Sequence, residues 1–341
     1  MSARVITFGE LMLRLGPPGF ERLLQSPMLC ATFGGGEANV AVSLAQFGLD
    51  SHYVTRLPSN AIGDAAVRAL RAEGVATDAV VRGGSRMGVY FTETGASQRA
   101  STVLYDRANS AISEIPPDAV DWDQVMKGAA WFHVTGITPA LGDKAAAATV
   151  AAVAAAKRAG ARISVDLNYR KKLWTQAQAQ KAMRPLMREV DVVIANEEDL
   201  QCVLGIDVAG ADVTSGALDV NAYQEAAARV TRELGPSVIA ITLRESLSAS
   251  DNGWSAVLWD GQTLHQSQRY VVRLVDRIGG GDSFAGGLIY GLITGRSNDA
   301  ALRFAVAASA LKQTIPGDFN RVSVAEVDGL AGGDASGRVQ R

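Results

Sequence analysis

The sequence predicts an α/β protein whose mostly parallel sheet is covered by helices on both faces, with a small β element set apart from it. Three observations carry this expectation. Short apolar, β-branched runs recur along the chain, and most of the stretches between them are alanine-rich with helical period. Glycine falls just past several of those stretches, where helices end. Two segments carry strand or turn signals but break the alternation.

The apolar runs read as buried strands at Val5–Phe8, His52–Thr55, Trp131–Val134, Arg162–Asp166, Val192–Ala195 and Val238–Thr242. Strand and helix in repeated alternation imply parallel pairing, because a parallel neighbour is reached only by a crossover. The helices are expected at Ala38–Phe47, Asp64–Glu73, Lys144–Ala159, Asn221–Leu234, Asp282–Thr294 and Asp299–Lys312, several stopped by Gly48, Gly74, Gly160, Gly235 and Gly295. The exceptions are Leu11–Phe33, punctuated by Gly16-Pro17-Pro18-Gly19, and the pair Met87–Thr94 and Thr102–Asp106 around Gly95-Ala96-Ser97. Together they suit a small sheet lying over the mouth of the main one, as a lid or an oligomer contact. One domain is expected over 1–330, with lid segments at about 11–33 and 86–111 and a frayed tail at 331–341.

Composition removes several classes of function. Among 341 residues, 48% are hydrophobic and 20% charged, which excludes disorder and coiled coil. Lys and Arg number 33 against 35 Asp and Glu, a formal net of -2, so no whole-protein field gathers a polyanion and nucleic acid is not expected as a partner. Cys30 and Cys202 are far apart, and His52, His133 and His265 are scattered, a pattern that favours a reducing compartment over a disulfide framework or a zinc site. The longest apolar run, Ala145–Ala156, is short of the ~20 residues that span a bilayer, and the first ten residues lack a signal-peptide pattern. A cytoplasmic protein without membrane contact is the expectation. Glycine is in surplus, at 35 residues or about a tenth of the chain against a usual ~7%.

Part of that surplus lies in two clusters. Asp276-Arg277-Ile278-Gly279-Gly280-Gly281-Asp282 runs into the apolar helix that follows. Glycines ahead of a helix leave backbone N–H groups free to converge, and the positive end of the helix dipole adds to them, making a site for a phosphate or a developing anion. Asp282 reads either as an N-terminal capping carboxylate or as a general base that takes a proton from a hydroxyl while the nest holds phosphoryl oxygens. The second cluster, Phe33-Gly34-Gly35-Gly36-Glu37-Ala38-Asn39, places Asn39 one turn into a helix, where a polar side chain can bind a polyol. Neither cluster is a GxGxxG after the first strand or a GxxxxGK[ST], so dinucleotide-binding and P-loop readings lose ground.

With these residues in view, the chain resembles the PfkB/ribokinase family of carbohydrate kinases over about residues 3–325, and within it the 2-keto-3-deoxygluconate kinases. The resemblance rests on both glycine clusters, Gly9-Glu10, Tyr105-Asp106-Arg107-Ala108-Asn109-Ser110-Ala111, Asp166-Leu167-Asn168-Tyr169-Arg170 and Asn196-Glu197-Glu198-Asp199. It implies a ribokinase-like three-layer α/β/α sandwich with a mostly parallel central sheet and a small β lid. It also implies ATP and Mg²⁺ as cofactors, with room for a monovalent cation, a small sugar acid as partner, and a homo-oligomer, either a dimer through the lid or something larger. Asp282 becomes the base, and Gly279, Gly280 and Gly281 the anion hole for the transferred phosphoryl group. Gly34, Gly35 and Asn39 match the sugar-binding cluster, and Tyr90, Tyr105, Arg107 and Arg170 the contacts to a keto-deoxy acid. Arginine suits a carboxylate because guanidinium binds it bidentately. Salt bridges to Asp106 and Asp166 are the competing reading of Arg107 and Arg170, and lid packing that of the two tyrosines.

Other matches bear on the nucleotide and the metal. Gly317 and Asn320 match the loop bordering the adenine pocket, and Thr242 the end of the nucleotide strand. Arg244 stands where relatives have glycine, and could reach the phosphates or pair with Glu245. The magnesium motif Asn-x-x-Glu reads Asn196 to Asp199 here, one methylene shorter, so a metal would be held through water. Helix capping is the other reading of that stretch. Arg14 lies close to where many sugar kinases of the family place an Asp, which suits an acidic substrate or a plain surface arginine.

Overall fold

The computed structural model describes residues 2–208, 220–334 and 336–337. The chain opens with β1 (Arg4–Phe8), β2 (Met12–Gly16) and β3 (Cys30–Gly34), then α1 (Gly36–Gln46). β4 (Asp50–Leu57), α2 (Ala61–Ala72) and β5 (Val80–Arg82) come next, and β6 (Val89–Glu93) and β7 (Thr102–Asp106) lead to α3 (Trp122–Met126). The middle holds β8 (Trp131–Thr135), α4 (Ile137–Ala140), α5 (Asp143–Arg158), β9 (Arg162–Asp166), α6 (Gln176–Met187), β10 (Val192–Ala195) and the short α7 (Glu197–Asp199). After it come α8 (Val220–Leu234), β11 (Val238–Ser246), β12 (Asp251–Trp259), β13 (Leu264–Gln266), β14 (Tyr270–Arg273), α9 (Gly280–Ile293), α10 (Asn298–Lys312) and α11 (Val324–Ala331).

The central sheet has ten strands in the order β13-β12-β11-β10-β9-β8-β1-β4-β5, with β14 paired to β12. Pairings from β11 through to β5 are parallel, and only those made by β12 are antiparallel. Alternate residues of each strand enter different cores. Ile6, Phe8, Val193, Ile239 and Ile241 pack against α5, α6 and α8, whereas Val5, Val192, Ile194, Val238 and Ala240 pack against α9 and α10. This division makes three layers and explains why the strands read as unbroken apolar runs rather than alternating ones. The five glycines expected past helix ends, Gly48, Gly74, Gly160, Gly235 and Gly295, all have positive φ.

The two segments outside the alternation form a second sheet, in the order β3-β2-β6-β7. The sequence reading missed α6, whose last turn contains Pro185, and the hairpin of β11 with β12, which runs on from the expected strand Val238–Thr242. Of the tail expected at 331–341, Ala331 closes α11, while residues 335 and 338–341 lie outside the described residues. No helix among the described residues is long and apolar enough to cross a membrane.

Candidate active site

A cleft of about 560 Å³ opens where the small sheet faces the carboxyl ends of the parallel strands. Met12, Tyr90, Tyr105 and Arg107 come to it from the small sheet and the residue after β7, Asp166, Ile194, Ala195 and Thr242 from the strands of the main sheet, and Gly279–Asp282 from the start of α9. Open α/β sheets leave a crevice at this end because each strand hands over to its helix there.

Asp282 sits in the first turn of α9 and is partly buried. Its Oδ2 accepts a hydrogen bond from Asn39 Nδ2 at 2.7 Å, joining the two glycine clusters across the cleft floor. A Cβ placed on Gly36 would lie 3.7 Å from Asp282 Oδ1, so the lack of a side chain there keeps that oxygen approachable. Burial raises the carboxyl to about 6 against the hydrogen bond from Asn39, with Asp318 pushing the same way and Arg170 opposing. Capping does not account for Asp282, because no side chain caps α9. Its N-cap is Gly279, in the left-handed region at φ 81°. The N–H groups of Gly281 and Asp282 precede the first intrahelical bond, Ser283 N to Gly279 O, and so have no partner within the helix.

The turn ahead of α9 is fastened from beneath. Lys312, fully buried on α10, donates Nζ to the carbonyl oxygens of Asp276 and Ile278, and Asp276 Oδ1 accepts from Ile278 N at 3.1 Å. Arg277 and Arg244 both line the cleft, and no ion pair among the described residues involves either. Burial first, and the neighbouring Arg244 second, lower Arg277. Two adjacent cations without a carboxylate leave a place for an anion. Glu245 pairs with Arg269 instead, which removes the expectation that Arg244 turns outward to it.

Arg107 bonds Glu10 Oε2 through Nε at 2.7 Å rather than Asp106, which pairs with Arg86, and the Arg107 guanidinium lies 5.4 Å from the centre of the Tyr105 ring. Arg170 makes no bridge to Asp166; its Nη1 donates to Tyr169 O, and its charge is felt at Asp166, Asp199 and Asp282. Arg14 is not a surface residue: it is buried between Asp276 and Asp318, both at 2.6 Å, so its charge is already matched by protein carboxylates. Tyr90 is buried, with its hydroxyl donating to Asp318 Oδ2 at 2.5 Å, and it stacks on the more exposed Tyr105 at 5.9 Å.

Asn196 and Asp199 form a capping box. Asn196 Oδ1 accepts from Asp199 N, Asp199 Oδ2 accepts from Asn196 N, and Asp199 Oδ1 accepts from Tyr169 N. Burial nonetheless raises Asp199 to about 6. No group of three potential ligands is arranged to hold a metal among the described residues.

Gly34 and Gly35 pack tightly: a Cβ would meet Asp318 Oδ2 at 2.0 Å or Glu10 O at 1.9 Å. Thr242 Oγ1 donates to Ala195 O at 3.3 Å. Gly317 and Asn320 are not among the residues lining the cleft. Gly317 N donates to Asp276 Oδ2, and buried Asn320 accepts from Val322 N, while Gln313 and Asp318 line the cleft instead. Sequence reasoning also missed Glu37, fully buried and accepting from Thr135 N, Thr135 Oγ1 and Thr138 Oγ1. A Cβ on Gly9 would fall 2.1 Å from its carboxylate, and that steric dependence of Gly9 on Glu37 is invisible in the sequence.

Residues 2–321 match the pfkB family of carbohydrate kinases. The chain belongs to that family. This PfkB kinase is 33% identical over 336 residues to the 2-dehydro-3-deoxygalactonokinase of Haloferax volcanii, covering 98% of this chain and 99% of that protein. It is 32% identical over 288 residues to the 2-dehydro-3-deoxygluconokinase of Thermoproteus tenax, covering 83% and 80% of the two. The crystal structure of 2-dehydro-3-deoxygluconokinase from Thermotoga maritima superposes with a TM-score of 0.94 at 50% identity, covering 97% of this chain and 100% of that one. The ribokinase-like α/β fold expected from the motifs is thus the fold of this kinase.

Proposed function

We propose that this PfkB kinase transfers the γ-phosphoryl group of ATP to the primary hydroxyl of 2-keto-3-deoxygluconate, another name for 2-dehydro-3-deoxygluconate, giving the 6-phosphate. The observation that carries the reading is the placing of partly buried Asp282 beside the uncapped start of α9 in one cleft. The hydroxyl proton passes to Asp282 Oδ1 while Asn39 holds Oδ2; the hydroxyl oxygen bonds to the γ-phosphorus, and the bond to the β-bridging oxygen breaks to release ADP. The N–H groups of Gly281 and Asp282 meet the transferred oxygens, and Arg244 and Arg277 meet the remaining phosphates. Mg²⁺ neutralises phosphate charge when bound. The donor set fits a Mg²⁺ held mainly by water and nucleotide, because both oxygens of Asp199 already accept backbone hydrogen bonds.

A carboxylated acceptor is supported by arginines at the other end of the cleft. Arg170 has no ion-pair partner among the described residues, and Arg107 lies 5.4 Å from the centre of the Tyr105 ring and is tied to Glu10. The name of the Haloferax relative favours 2-keto-3-deoxygalactonate as the second candidate, which differs in the configuration of one hydroxyl. An ADP-release assay over both keto-deoxy acids, fructose, ribose and adenosine checks this. Turnover should be highest with a keto-deoxy acid, and Arg107→Ala should raise KM for that acid about tenfold or more, with KM for ATP little changed. Equal turnover of fructose would remove the argument from arginine.

Apolar side chains also stand exposed on and beside the small sheet, Leu104 and Met28 among them, and its outer strands β3 and β7 have unpaired edges. They support a homodimer formed through this sheet. Light scattering of the purified protein should give twice the chain mass, and Leu104→Lys should shift it to the monomer. A wild type that runs as a monomer at micromolar concentration contradicts the dimer.

A further inference from the structure

Arg14 is left without a part in the proposed transfer, yet it sits in a buried, charged junction beside the cleft. Its guanidinium, on β2, donates Nη1 to Asp318 Oδ1 and Nη2 to Asp276 Oδ2, both at 2.6 Å, and Nε to Thr92 Oγ1 at 3.3 Å. These partners come from separate parts of the chain. Thr92 is on β6 of the small sheet, Asp276 opens the glycine turn before α9, and Asp318 follows α10.

Each carboxylate reaches the site by another route. Asp276 accepts from Ile278 N and Gly317 N, so it closes the turn that presents Gly279–Gly281. Asp318 lines the cleft and accepts from Tyr90 OH, and its carbonyl oxygen lies 2.1 Å from where a Cβ on Gly279 would stand. Lys312 supplies the second buried cation of the junction, bound to the carbonyl oxygens of the same turn. The chain of contacts is unbroken, from Arg107 over Tyr105, to Tyr90, Asp318, Arg14, Asp276 and the turn.

We propose that Arg14 is a positioning residue for phosphoryl transfer: it fixes the anion-binding turn to the small sheet that carries the acceptor contacts, and so sets the distance between hydroxyl and phosphoryl group. The inference rests on the proposed function. An ion network serving stability alone could join any buried elements, whereas both carboxylates here end on groups of the cleft. A planar fork is what the junction needs, since two carboxylates are bound in fixed directions by one side chain, a task a point charge performs poorly. In-line transfer loses about 10²-fold for a misplacement on the order of 1 Å, so slack at this joint is felt in kcat.

Arg14→Lys keeps the charge and loses the fork. The charge-balanced double variant Arg14→Met, Asp318→Asn removes one buried charge of each sign and guards against a variant that fails to fold. With ATP and 2-keto-3-deoxygluconate, kcat per folded enzyme should fall about 10- to 100-fold in both, with KM for ATP within about threefold of wild type. The ratio of ADP to phosphorylated sugar should rise above one, as water takes the phosphoryl group and releases inorganic phosphate. A merely structural arginine would lower the amount of folded enzyme and leave that ratio at one. Folded variants with wild-type kcat and one ADP per sugar phosphate overturn this inference alone. A wild type that phosphorylates no sugar in the panel overturns the proposed function and this inference with it.

Discussion

Asp282→Asn is expected to lower kcat by about two to four orders of magnitude while leaving KM for ATP within a few fold, the loss typical of a missing general base. The amide keeps an oxygen to accept from Asn39 Nδ2 and keeps the start of α9 as it is, so it removes the proton acceptor and little else. Steady-state rates with a keto-deoxy acid check this, and near-normal turnover would show that the proton leaves by another route.

The same substitution should stabilise the fold, and only in one pH window. The Asp282 carboxyl is raised from 3.8 to about 6, chiefly by burial, so the folded protein prefers it protonated. Below pH 3.8 the group is protonated folded and unfolded, and contributes nothing. Between 3.8 and 6 the unfolded chain releases the proton first, and stability falls as pH rises. Above 6 the full cost is present, about 3 kcal/mol for a shift of about two units. Asparagine carries no such cost. Melting temperatures of Asp282→Asn and wild type should therefore differ by several degrees in favour of the variant at pH 7.5 and converge at pH 4. For catalysis the ionised form is needed, so kcat/KM of the wild type should fall as pH drops through about 6. Equal melting temperatures at pH 7.5 would mean the cleft solvates this carboxylate better than its burial implies.

How far the site was legible in advance depended on whether a residue's role is local. Gly279–Gly281 and Asp282 form a contiguous stretch at a strand-to-helix crossing, and helix-terminus physics assigns them an anion from spacing alone. Asn39, one turn into α1, was readable for the same reason, though its partner Asp282 is 243 residues away. The strands were readable because burial on both faces leaves no polar alternation to confuse them. Arg14, Glu37, Asp318 and Lys312 were not, since each is defined by partners far along the chain, and nothing local marks an arginine as buried. Gly317 and Asn320 show the opposite failure. Neither lines the cleft, and the nearby residues that do are Gln313 and Asp318. Asn196 and Asp199 form the capping box that their spacing also allowed, and they line the cleft.

The glycine turn itself allows a test that separates shape from charge. Gly279→Ala would place a Cβ 2.1 Å from the carbonyl oxygen of Asp318, a backbone atom that cannot swing aside, and would do so at φ 81°, where an L side chain is already strained by about 1 kcal/mol or more. The turn must therefore shift, carrying the N–H groups at the start of α9 away from the transferred phosphoryl group, and kcat should fall at least about 100-fold. Gly281→Ala, two residues on, adds the same methyl group with nothing within 4 Å of it. It faces open space at the helix start, so the protein should keep its melting temperature and its turn. Its methyl group then competes with phosphate oxygens alone, and KM for ATP should rise with a smaller loss in kcat. If the two variants behaved alike in stability and in both kinetic constants, the turn would not be the rigid receiver that the contacts of Asp318, Asp276 and Lys312 make it.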